Sequence, residues 1–254
     1  MRRWGASNVP AKTACVNERF GVSQIAAEQA GQMSAPTFDI EYGLIARGAR
    51  GVAGIDEAGR GPLAGPVAAA AVILDPERLP PGLDDSKKLS PRVREILFEA
   101  IMINARAVAI GFGSLDEIVR LNIREASLLA MRRAVQSLAT PPDFALVDGN
   151  ALPAGLPCPA RAIVKGDATC LSIAAASIVA KVARDRAMAR LHIAYPAYGF
   201  ASHQGYGTRR HLVALAQHGP CDAHRATFAP VTAARQIAPR RPREASRNLH
   251  ATHN

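Results

Sequence analysis

The chain predicts an α/β domain whose sheet is at least partly parallel. Three observations predict it. Short apolar runs of strand length alternate with longer segments of helical spacing, and several of those runs end at an acid or a turn residue. The composition, 48% hydrophobic and 20% charged over 254 residues, is that of an ordinary globular protein and excludes wholesale disorder. Cys15, Cys158, Cys170 and Cys221 lack C-x-x-C spacing, which excludes a disulfide scaffold and reads as reduced thiols of a cytoplasmic protein. The longest apolar runs stop well short of the roughly 18 residues that a bilayer crossing needs, and no signal-peptide core follows Arg2 and Arg3.

The elements follow in order. Gly51-Val52-Ala53-Gly54-Ile55 reads as a buried strand that ends at Asp56. Val67 to Leu74 is a second apolar run, stopped by Asp75-Pro76. Ser90-Pro91 opens a helix to about Ala105, with Ser as N-cap and Pro in the first turn. Val108 to Phe112 is a third strand. Asn122 to Leu138 carries Leu, Ala and Met at helical spacing and reads as an amphipathic helix. Phe144 to Val147 runs straight into Asp148-Gly149, and Ala162 to Val164 precedes Gly166. An Ala-rich helix covers about Ser172 to Arg190, and Thr208 to Gln217 forms another.

Residues 1–35 lack periodicity and read as a disordered leader, with Met33 an alternative natural start. Residues 36–231 form the domain, and 232–254 read as a basic disordered tail. The formal charge is +10, but the tail contributes five arginines against one glutamate and the leader four basic residues against two acidic ones. A basic chain points to a polyanionic partner, weakly here because the excess is peripheral.

Asp56 and Glu57 end one apolar strand, Asp148 ends another, and ligands of open α/β sheets sit at the carboxyl ends of strands. A lone strand-end Asp is ordinarily a helix cap or a solvated loop residue. Converging acids are different, because a cation must offset their repulsion, and hard oxygen donors suit Mg²⁺ or Mn²⁺. For a further acid the residues leave two candidates. Asp185 lies in the long helix, where it also forms an i,i+4 pair with Lys181; Asp167 follows Gly166 and reads as a cap. Gly59-Arg60-Gly61 allows a close backbone approach to a ligand. Ser86, Lys87 and Lys88 suit phosphate or a plain solvated surface. Tyr206, between Gly205 and Gly207, suits stacking on a sugar or base, or plugging a core edge. His203 and His224 lack metal-ligand spacing and read as structural or surface.

Taken together, Gly54-Ile-Asp-Glu-Ala-Gly-Arg-Gly-Pro-Leu-Ala-Gly-Pro-Val67, Asp85-Ser-Lys-Lys-Leu-Ser90, Val147-Asp-Gly149, Ala174-Ala-Ala-Ser-Ile-Val-Ala-Lys-Val-Ala-Arg-Asp185, Gly205-Tyr-Gly-Thr208 and His224-Arg225 with Phe228-Ala-Pro-Val231 resemble ribonuclease HII in order and spacing. The resemblance covers about residues 36–231. It implies a ribonuclease H-like fold: a mixed five-stranded sheet flanked by helices, with a small helical C-terminal part. It implies an endoribonuclease that cuts the RNA strand of RNA–DNA hybrids and nicks 5′ of single ribonucleotides in duplex DNA, leaving 3′-hydroxyl and 5′-phosphate ends. It also implies two Mn²⁺ or Mg²⁺ ions on Asp56, Glu57, Asp148 and Asp185, choosing Asp185 over Asp167. By the same resemblance Gly59, Arg60 and Gly61 read the ribose 2′-hydroxyl, Tyr206 stacks on the neighbouring deoxyribose, and Lys87 and Lys88 contact phosphate. Gln204 departs from the family, where Lys is common. Ribonuclease HIII, which needs an extra N-terminal domain, and an inactive hybrid-binding module are the competing readings. A monomer is expected, without a membrane partner, and a sliding clamp stays open.

Overall fold

The computed structural model describes residues 35–237; the expected leader, save its last residue, and positions 238–254 of the expected tail lie outside the described residues. Strands β1 (Val52–Ala58), β2 (Val67–Ile73), β3 (Ala107–Gly113), β4 (Phe144–Asp148) and β5 (Ala160–Ile163) form one sheet in the order β3-β2-β1-β4-β5. The first three pair antiparallel, while β1 with β4 and β4 with β5 pair parallel, which is the mixed five-stranded sheet the resemblance implied. Every residue of β2 is buried, as a central strand covered on both faces must be.

Helices α1 (Asp39–Ile45), α2 (Pro91–Asn104), α3 (Leu115–Gln136) and α4 (Leu171–Ala194) flank the sheet. Alternation along the strands sends Ala53, Ile55, Val67 and Val147 to the face covered by Ile118, Ala130 and Met131 of α3. Ala70 and Val72 face Leu97 and Phe98 of α2 and Ile178 and Val179 of α4. The run of alanines in α4 lets it lie directly on β1. A Cβ on Gly54 would stand 2.1 Å from the Ser172 carbonyl carbon, so only glycine allows that approach.

Two expected boundaries change. The helix read from Asn122 begins at Leu115, because Ser114 and Glu117 form a capping box; Asn122 (φ 69°) then breaks it, and its Oδ1 accepts from Arg124 and Glu125 N–H like a second cap. The expected tail begins too early. After the short α5 (Phe200–His203) and α6 (Arg209–His218), α7 (Ala229–Ile237) runs past Val231, which is fully buried against Leu63 and Leu215. This C-terminal part is tied to the loop after β1 by Leu63 N–H to the Gly205 carbonyl (2.8 Å) and Gly65 N–H to the Ala223 carbonyl (2.8 Å).

Candidate active site

The parallel pairing sets Ile55 of β1 beside Val147 of β4 and Asp148 beside Ile163 of β5, so three strands deliver their carboxyl ends to one place. Asp56 and Asp148 leave from the α4 face, and Asp167 arrives from the 3₁₀ turn Gly166–Ala168 between β5 and α4. Carboxylate oxygens of Asp56, Asp148 and Asp167 lie within 4.8 Å of one another. Asp56 and Asp167 are buried. Glu57 follows Asp56 on the strand and points from the opposite face, where Arg60 Nη1 reaches it at 3.2 Å.

Few donors answer this negative charge. Glu57 N–H donates to Asp56 Oδ1 (2.7 Å) and Gly166 N–H to Asp148 Oδ1 (2.7 Å). Burial, then repulsion from Glu57, Asp148 and Asp167, raises the Asp56 pKa well above the usual carboxylate range. Burial also raises Glu57, against the opposing pull of Arg60, and burial with Asp167 raises Asp148. The donor set is all carboxylate, hard and short of positive charge, and it fits a divalent cation such as Mg²⁺ or Mn²⁺.

Asp185 is not part of this group. It sits in the fourth turn of α4, where it accepts from Lys181 Nζ at 2.6 Å, and the acid that joins Asp56 and Asp148 is Asp167. Among the described residues, the expected site acid Asp185 pairs with Lys181, and Asp167 takes the place beside Asp56 and Asp148. The physical reason is direction: an acid placed just after a parallel strand faces the cluster, whereas one along the helix is carried away at about 1.5 Å per residue. The same strand-end rule that picked Asp56 and Asp148 applies to Asp167, after β5.

The lysine loop divides its residues. Lys87 Nζ reaches Asp167 Oδ2 at 3.0 Å, and although burial opposes its charge, that bond raises its pKa. Lys88 turns to Asp84 at 2.9 Å. Ser86 is buried, with its N–H donating to Ser177 Oγ. Lys87 faces the acids, and Ser86 is withdrawn from solvent.

Gly59-Arg60-Gly61 and Tyr206 are brought together: a Cβ on Gly61 would lie 3.5 Å from Tyr206 Cε1, and the Tyr206 ring is 47% exposed. Gln204 folds back, donating through Nε2 to the Ala201 carbonyl at 2.9 Å, so it does not stand in for an outward lysine.

Sequence reasoning missed three groups behind these loops. Arg225 donates to the carbonyls of Gly59 (2.5 Å), Arg60 (2.8 Å), Gly65 (3.0 Å) and Pro66 (3.3 Å). Arg184 donates to those of Pro66 (3.2 Å), Ala64 (3.3 Å) and Gln204 (3.0 Å). The third group is His211. His203 and His224, expected to be structural or surface, are structural, and their partners fix every tautomer. Cys221 N–H donates to His224 Nδ1 (3.1 Å), so His224 carries its proton on Nε2 and donates to His211 Nε2 (3.1 Å); His211 Nδ1–H then donates to the Tyr206 carbonyl (2.8 Å). Gly205 N–H donates to His203 Nδ1, and His203 Nε2–H to the Tyr198 carbonyl. Burial and the neighbouring His211 push the His224 pKa down to about 4.

Comparison with known proteins gives the family. Residues 53–231 match the family described as Ribonuclease HII. A relative named ribonuclease HII from Rhizobium etli is 57% identical over 196 residues, covering 77% of this chain and 85% of the relative. Among solved structures, ribonuclease H2 of Pyrococcus horikoshii superposes with a TM-score of 0.64 at 29% identity, over 73% of this chain and 97% of that one. RNase HII of Archaeoglobus fulgidus, solved as a complex with PCNA, gives 0.60 at 30%, over 70% and 95%. The chain belongs to the ribonuclease HII family and is a metal-dependent endoribonuclease with a ribonuclease H-like fold.

Proposed function

We propose that this ribonuclease H both cleaves the RNA strand of RNA–DNA hybrids and nicks duplex DNA 5′ of a single embedded ribonucleotide, leaving 3′-hydroxyl and 5′-phosphate ends, as a step in ribonucleotide removal during DNA repair and replication. The observation that carries this reading is the meeting of Asp56, Asp148 and Asp167 beside Glu57, with the Tyr206 ring lying where a Cβ on Gly61 would meet it. We assign metal binding to Asp56, Glu57, Asp148 and Asp167. The chemistry that two bound divalent ions supply is activation of water and neutralisation of charge on phosphorus and on the departing 3′ oxygen.

The chain's own residues do the rest. Burial and mutual repulsion raise the pKa values of Asp56, Glu57 and Asp148, so these carboxylates would gain most from a bound cation. Lys87 orients Asp167 and presents an ammonium to an incoming phosphate, with Lys88 a second positioning charge. Backbone of Gly59, Arg60 and Gly61 meets the 2′-hydroxyl, and the exposed ring of Tyr206 meets the adjacent deoxyribose. Action as a cytoplasmic monomer belongs to the same reading, and the Archaeoglobus complex with PCNA supports a clamp as partner.

The test is a nicking assay on a DNA duplex containing one ribonucleotide, run with Mg²⁺, with Mn²⁺ and with EDTA. A single metal-dependent cut 5′ of the ribonucleotide is expected. Cutting confined to long hybrid tracts would undo the roles given to Gly59–Gly61 and Tyr206, and binding without any cut would favour the inactive module.

A further inference from the structure

Arg184 and Arg225 are 1% and 0% exposed, and neither has a carboxylate partner among the described residues. Burying a guanidinium without a counter-ion is costly, and two of them side by side repel. Burial, and for Arg225 the charge of Arg184, pulls both pKa values down, yet arginine keeps its proton in proteins, so both charges stay. What holds them is backbone: every acceptor is a carbonyl of residues 59–66 or of Gln204. A fold built for stability alone is better served by apolar side chains in that volume.

The two guanidiniums divide the work. Arg225 hydrogen-bonds only to the first loop, turning the Gly59 and Arg60 carbonyls inward, while its guanidinium lies over the Phe228 ring. Arg184 bridges: one terminal nitrogen, Nη2, serves Ala64 of the first loop and Gln204, two residues before Tyr206. The loop is shaped around it, since Gly59 (φ 99°) admits no Cβ without meeting Arg184 Nε at 1.8 Å.

We propose that Arg184 is a positioning residue for substrate choice: by joining the 59–66 segment to the carbonyl before Gly205-Tyr206, it fixes the spacing between the group that reads the ribose and the ring that reads the next sugar. This rests on the substrate reading given above. A uniform RNA–DNA hybrid offers the ribose-reading loop a target at every step and tolerates a loosened tyrosine; a single ribonucleotide followed by deoxyribose does not. Arg184→Lys keeps the charge and loses the planar guanidinium whose Nε holds Pro66 while its Nη2 spans both loops.

The experiment compares kcat/KM on a duplex with one embedded ribonucleotide and on a uniform hybrid, for wild type, Arg184→Lys, Tyr206→Ala and the double variant, each checked for a cooperative melt. Arg184→Lys is expected to lose roughly 10-fold or more on the embedded site and less than about 3-fold on the hybrid, an effect of the size of one charged hydrogen bond. In the Tyr206→Ala background the further loss on the embedded site should vanish, as coupled residues require. Equal losses on both substrates, no loss on either, or additive losses in the double variant each overturn the proposal. If Arg184→Lys does not fold, Arg184→Gln replaces it, and failure of both to fold overturns the proposal in favour of a purely structural role. Wild type that ignores the embedded ribonucleotide would instead sink the substrate reading itself.

Discussion

At the carboxyl ends of β1, β4 and β5, Asp56, Asp148 and Asp167 gather negative charge with little beyond Lys87 and two backbone amides to meet it. Beneath the neighbouring loops, Arg184 and Arg225 gather positive charge that carbonyls meet at most of their N–H groups. Both regions concentrate one sign of charge away from water. The acids are left short of donors, which is the condition of a site built for a diffusible cation; the arginines are closed off by fixed dipoles, which is the condition of a scaffold. Unmet charge marks where chemistry enters, and met charge marks what holds the shape.

The largest expected effect comes from the open side. Asp56→Asn should lower kcat by about 10³-fold or more, since it removes a carboxylate to which the proposal gives metal binding. The same change should stabilise the protein in EDTA. A carboxyl whose folded pKa is raised contributes stability only at low pH and loses it as pH rises through the raised value, so ionised Asp56 is a burden at neutral pH. A melting temperature higher by a few degrees in EDTA, on the order expected for 1–2 kcal/mol, supports the contrast between regions; a lower one contradicts it.

The closed side has its own pH signature. His224 is held neutral with its pKa pushed down to about 4, below the ordinary 6.5. Its contribution is therefore complete above about pH 6.5 and is lost as pH falls toward 4, because protonation adds a proton at Nδ1 and sets it head to head with the Cys221 N–H across a 3.1 Å contact. Thermal melts between pH 7 and pH 4 should show this loss, and His224→Asn should flatten it. An unchanged slope in the variant would place the acid sensitivity elsewhere.

The smallest effect concerns the charge outside both regions. Residues 238–254 hold four arginines against one glutamate. Deleting them, rather than everything after Val231, spares α7. Hybrid binding should weaken by roughly 3- to 10-fold at 50 mM salt and by little at 200 mM. Equal binding of both forms at 50 mM removes the tail from the account.

Much of the sheet was legible because its strands are short, apolar and stopped by acids, Pro or Gly, and Ser90-Pro91 announced α2 as local caps do. The convergence of Asp56 and Asp148 was legible by the same rule. Asp167 was in plain view after Ala162–Val164, but its value as a cap masked its position at the end of a third parallel strand, and the family resemblance pointed to Asp185 instead. The loop scaffold was not legible at all. Arg184 meets a carbonyl 120 residues away and Arg225 one 166 residues away, and the histidines that order Tyr206 share no repeat; such contacts exist only once the C-terminal part folds back on the loop after β1.

The most direct measurement sets Asp167→Asn beside Asp185→Asn, reading both single-ribonucleotide nicking and the rise in melting temperature on adding Mn²⁺. Loss of roughly 10²-fold in activity and of most of the Mn²⁺ stabilisation in Asp167→Asn, with Asp185→Asn within about 3-fold of wild type, is the predicted result. The reverse pattern, with Asp185 essential and Asp167 dispensable, would contradict the carboxylate cluster on which this account stands.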